Sequence, residues 1–161
     1  MTLSERFLKY VSFPTMSDDS SDTVPTTKKQ LALAKALTDE LLSLGLSDAH
    51  TDDYGYVYAT LPANTDKNVP VIGFIAHMDT SNAAADSPII TKTIEYNGGD
   101  ILLNEEKNIV MSVSEYPYLE NYRGKHLIVT DGTTLLGADD KAGVSEIMTM
   151  IANLISSDKK H

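Results

Sequence analysis

Three stretches of the chain place apolar residues at helical spacing. In residues 3–13, Leu3, Phe7, Tyr10 and Val11 share a face, and Pro14 closes the segment because its ring cannot continue a helix. Pro25-Thr26-Thr27 opens a second helix, either threonine being able to cap its free N–H groups. Leu31, Ala34, Leu37 or Ala36, Leu41 and Leu44 follow as a core stripe, and Gly45 suits the C-terminal cap. From Lys141 a third helix carries Val144, Ile147, Met148, Ile151 and Leu154 on one side.

Between these helices the period changes. In residues 49–61, Val57, Ala59 and Leu61 alternate with Tyr56, Tyr58 and Thr60, which predicts a strand with one wetter face, entered through a turn at Asp53-Tyr54-Gly55. Residues 69–76 are apolar without alternation, which predicts a strand buried on both faces and therefore helices above and below it. Short strands are expected at 89–96, 101–104 and 126–130, with Asn97-Gly98-Gly99 as a hairpin-type turn. The expected fold is α/β, with a three-layer αβα sheet.

Composition narrows the function. At 161 residues, 42% of them apolar, one domain with a real core is expected. Thirteen basic against 23 acidic residues give a net charge of −10, which argues against nucleic acid and anionic membrane as partners. The absence of cysteine removes disulfides, thiolate zinc clusters and a cysteine nucleophile. The charged start of the chain lacks a signal peptide's apolar core, and no run has the length of a membrane span, so a cytoplasmic protein is expected. Phosphate-loop, helical-zincin and serine-hydrolase motifs are missing. The acidic loop within 15–25 lacks the glycine and glutamate of a calcium hand and reads as solvated.

Two constellations carry chemistry. His77-Met78-Asp79 follows the apolar run, and residues two apart on an extended chain point the same way, so Asp79 can fix the tautomer of His77. His50-Thr51-Asp52 has the same spacing in a polar setting and reads as inert surface. Asp139-Asp140 stands at the start of the third helix between small residues, where carboxylates either cap the helix or hold a cation. Together, His77 and Asp139 form a candidate metal-ligand pair with Asp79 behind the imidazole, a donor set suited to zinc, manganese or cobalt. Lys141 reads as neutralising the acidic pair, Arg123 as a turn residue, and His161 as a surface histidine in a basic tail.

The segments from Gly73 to Ser81 and from Thr130 to Gly143 resemble the two metal motifs of the di-zinc M20 exopeptidases. The resemblance implies that His77 binds one ion, that Asp139 bridges two zinc ions, and that Asp79 is the active-site residue orienting His77. It implies a cis peptide between Asp139 and Asp140. The implied reaction is hydrolysis of the N-terminal residue from a short peptide, a tripeptide in the branch that Ala59-Thr60-Leu61-Pro62-Ala63-Asn64 and Tyr96-Asn97-Gly98-Gly99-Asp100 resemble and that the long second motif and the Gly-Gly-Asp segment favour. It further implies a catalytic glutamate, three more metal ligands and a lid domain, none of which has a counterpart here. The expectation is an incomplete N-terminal part of a catalytic domain, inactive alone and prone to self-association through exposed surface. The alternatives are a dipeptidase or N-acyl amino-acid deacylase of the same family, or a non-catalytic α/β fragment.

Overall fold

The computed structural model describes residues 1–161. Helix α1 (Leu3–Val11) starts in a capping box: the Thr2 hydroxyl accepts from the Glu5 N–H, and the Glu5 carboxylate accepts from the Thr2 N–H. Its buried residues are Arg6, Tyr10 and Val11, whereas Leu3 is exposed. The expected face is therefore turned toward Arg6, because Glu40 of the next helix supplies a buried partner for the guanidinium at 2.8 Å.

Helix α2 (Gln30–Ser43) begins later than expected, and neither threonine caps it. The Thr27 hydroxyl donates to the Met16 carbonyl, and Thr26 accepts from the Asp18 N–H, so both hold the preceding loop in place. The helix ends as expected on Gly45, at φ +95°, with the Leu46 N–H returning to the Leu41 carbonyl. Strands β1 (His50–Thr51) and β2 (Val57–Tyr58) pair antiparallel, and the Asp52 carboxylate holds the turn between them through the Tyr54 and Tyr56 N–H groups. Helix α3 (Ala138–Ile155) buries Lys141, Val144, Ser145 and Met148. Tyr10, Leu33, Leu37, Leu41, Leu46, Ala49, Val144 and Met148 form the core that joins the three helices.

The chain divides into two compact units, Met1–Asn82 with Gly137–His161, and Ala83–Leu136. The second unit has its own cluster of Tyr96, Ile101 and Leu119. Its strand β3 (Thr91–Tyr96) pairs with β6 (Lys125–Thr130), and β4 (Ile101–Asn104) with β5 (Ile109–Met111), all antiparallel. The glycine turn at 97–99 forms, but it does not join a hairpin, because β3 takes β6 as its neighbour rather than β4. Arg123 holds this turn by donating to the Asn97 carbonyl and to the Glu120 carboxylate.

The fold is mixed α/β, with its strands in three separate two-stranded sheets. Residues 69–76 form no strand and are not buried: Val71 is 99% and Ile75 96% exposed. A strand covered on both faces needs neighbours on its edges as well as layers above and below, and the six strands present pair only with one another. No helix is long and apolar enough to cross a membrane.

Candidate metal centre

The first unit brings His77 and Asp139 together across 62 positions of sequence: Nε2 lies 2.9 Å from Asp139 Oδ1. The other ring nitrogen, Nδ1, faces Asp79, with the backbone carbonyl at 3.0 Å and carboxylate Oδ1 at 3.3 Å. A carbonyl only accepts, so Nδ1 carries the proton and Nε2 is turned toward Asp139. Partial burial draws the His77 ring toward neutrality. The Asp139 hydrogen bond, the Asp79 carbonyl and both carboxylate charges outweigh it, and the pKa is raised above that of an ordinary imidazole.

Asp139 and Asp140 have different partners. Their peptide bond is cis, as the family resemblance implies, and both residues leave the helical backbone region. Asp140 Oδ1 accepts from the Gly143 N–H at 3.1 Å and so caps the helix. The Asp139 side chain is 95% exposed and turns to His77. Gly137 precedes the kink at φ +74°, where a Cβ would stand 2.9 Å from the Thr80 methyl, so the two arms of the site meet there closely enough to require glycine.

The donor chemistry suits a divalent ion in part. Two ligands on one tetrahedral zinc ion, each at about 2.0–2.2 Å, stand about 3.4 Å apart, so the 2.9 Å donor separation would have to widen by about half an ångström to admit an ion. No group of three or more His, Asp or Glu side chains is arranged to hold an ion, and His77 and Asp139 face each other as a pair. His50 and His161 have partners of their own. His50 is exposed and stacks on Tyr58, and the His161 N–H donates to the Asn64 side chain. Sequence pattern did not single out residues 13–17, which run against the His77 arm, nor the buried placement of Lys141. One available signal was a cation in the first turn of a helix, where the dipole disfavours it.

No family model matches the chain. It is 58% identical to a peptidase T of Caldanaerobacter subterraneus over 153 residues, 94% of this chain and 37% of that protein. It is 52% identical to a peptidase T of Halothermothrix orenii over 154 residues, and 54% to one of Clostridium botulinum over 153, each match spanning 38% of the relative. The chain thus spans less than two-fifths of the length of the curated relatives it matches.

Proposed function

We propose that this chain, similar to peptidase T along 94% of its residues, supplies part of the metal site of an aminopeptidase that releases the N-terminal residue from tripeptides. The observation that carries the reading is the approach of His77 Nε2 to Asp139 Oδ1 at 2.9 Å, with Asp79 behind the ring. His77 and Asp139 are the ligands, and Asp79 is the active-site residue that holds the imidazole with Nε2 outward. Without an ion, a proton on Nε2 has to offset the Asp139 charge; a divalent cation takes over that role. Two zinc ions, with manganese or cobalt fitting the same donors, supply Lewis acidity and make bound water acidic when present. The exposed Asp139 carboxylate has a second oxygen available to a second ion.

In this reading residues 1–161 are the N-terminal, incomplete part of the catalytic domain. Residues 69–76 belong in the interior of its three-layer αβα sheet, and further ligands and a general base come from outside the matched length. Two protein ligands leave a zinc shell open, so the chain alone does not turn over peptides. The reading places the protein in the cytoplasm, acting on short peptides and on neither nucleic acid nor membrane. It also implies self-association of the isolated chain through its exposed apolar run.

A chimera tests the function: this chain replaces the matching stretch of the Caldanaerobacter peptidase T. The expected result is release of the N-terminal residue from a tripeptide and no cleavage of an N-acyl amino acid. His77→Ala or Asp139→Ala in the chimera is expected to lower kcat/KM about a thousandfold. Cleavage of the acylated substrate alone would instead make the chain part of a deacylase. Calorimetric titration of the isolated chain with zinc tests the ligands, and binding unchanged by both substitutions removes the site.

A further inference from the structure

The two arms of the candidate site are fastened to the same short stretch of backbone. Beyond α1 the chain runs beside the segment that carries His77. The Thr80 N–H donates to the Thr15 carbonyl at 3.1 Å, and the Ser17 N–H donates to the Thr80 carbonyl at 2.9 Å. The Ser17 hydroxyl donates to the same carbonyl at 3.0 Å, and Met16 and Thr80 form a parallel bridge. At the near end of this stretch, the Phe13 carbonyl accepts from Lys141 Nζ at 2.8 Å. Thr80 lies three residues after His77, and Lys141 two after Asp139. Residues 13–17 therefore hold both ligand-bearing arms at once.

Packing alone does not account for Lys141. It has 0% of its surface exposed, in the first turn of a helix, where the dipole opposes a cation. An unbranched apolar side chain such as methionine would occupy a similar volume without the cost of removing an ammonium from water. The ammonium makes a directed bond from α3 to the Phe13 carbonyl. The Gly137 carbonyl accepts from the Lys141 N–H, and the Lys141 side chain passes beside Gly137, where the arm carrying Asp139 meets Thr80.

We propose that Lys141 and residues 13–17 form a positioning clamp that sets the distance between the His77 and Asp139 side chains. Lys141 is a positioning residue: it acts on the ligands through the Phe13 carbonyl and the Thr80 backbone. The clamp deepens the metal-site reading and rests on it for its purpose. Its geometric effect is measurable without a metal.

The natural absence of cysteine allows a direct assay. His77→Cys with Asp139→Cys places one thiol on each arm, and dibromobimane becomes fluorescent when both of its arms have reacted. Adding Lys141→Met is expected to lower the rate of bridging, relative to single-thiol alkylation, about tenfold. Val144→Ala, which opens the core on the same helix, is the control and is expected to leave the ratio within about twofold. Equal bridging with and without Lys141→Met overturns the clamp, as does an equal loss in the Val144→Ala control. If circular dichroism shows that Lys141→Met does not fold, Ser17→Ala carries the test, with an expected loss of about threefold. An unchanged ratio in that folded variant overturns the proposal. Zinc titration of the parent chain and of Lys141→Met, with the natural His77 and Asp139, separates the two ideas. Parent chain that binds no zinc sinks the metal site, while a Lys141-dependent bridging rate still upholds the clamp.

Discussion

His77 has two ring nitrogens, and each has a different acidic residue to face. That division makes Asp79 separable from Asp139 by experiment. Asp79→Asn is expected to weaken zinc binding by about 10–100-fold while leaving the fold intact, because the ring loses the carboxylate that orients it. Calorimetry on the isolated chain measures this, and undiminished affinity would make Asp79 a bystander. Thr80 makes a second residue-scale case. Its hydroxyl is buried with no partner, although its backbone is fully used by the clamp. An unpaired buried hydroxyl costs about 1–3 kcal/mol, and valine keeps the shape, so Thr80→Val is expected to raise the unfolding free energy by about 1 kcal/mol. Urea denaturation decides it; a loss of stability would show that the hydroxyl has a partner. At this scale the His77–Asp79 pair was legible because an extended chain repeats its side-chain direction every two residues. What Asp140 does was not legible: its carboxylate caps the helix through the Gly143 N–H, a task set by the backbone angles beneath it.

Among the elements, the junction of α1 and α2 shows how pairing changes a face. Glu40 is buried between Arg6 at 2.8 Å and Lys9 at 2.9 Å. Burial alone would raise its pKa, but the hydrogen bonds from Lys9 and Arg6 outweigh burial and hold it below the usual glutamate value of 4.5. A carboxylate with a lowered folded pKa stabilises the fold above its unfolded value and loses that contribution as the pH falls through the folded one. Glu40→Gln is therefore expected to cost about 3 kcal/mol at pH 7, since it leaves a buried guanidinium without its counter-charge. The difference from the parent is expected to shrink as the pH drops below 4.5. Denaturation curves that stay parallel from neutral to acid pH would exclude this role. The apolar period of residues 3–13 marked the helix and placed Tyr10 and Val11 in the core, but it missed Arg6 and included the exposed Leu3, because periodicity does not register a distant glutamate. The same holds for the start of α2, where Met16 and Asp18 draw Thr27 and Thr26 away from capping.

For the whole molecule, the consequential surface is residues 69–76. Val71, Ile72, Phe74 and Ile75 lie exposed in one continuous run, the kind of patch that drives association. The net charge of −10 opposes that tendency at low salt and opposes it less as salt screens it. Light scattering is expected to give a mass above the 17.5 kDa monomer, rising with ionic strength. Val71→Lys with Ile75→Lys is expected to return the chain to a monomer. A parent chain that stays monomeric at high salt and high concentration would show that the run does not associate.

Local chemistry determined a good deal of this protein from its sequence alone. The three helices, the Asp53-Tyr54-Gly55 turn, the glycine stop after α2 and the likeness of the His77 and Asp139 segments to metal motifs all follow from a few neighbouring residues. Tertiary structure decided what depends on partners far along the chain. Residues 69–76 have the composition of an interior strand, yet a strand needs edges to bond and faces to cover, and no other segment here provides them. Lys141 and Phe13 are separated by 128 positions, and only the folded backbone brings the ammonium to that carbonyl.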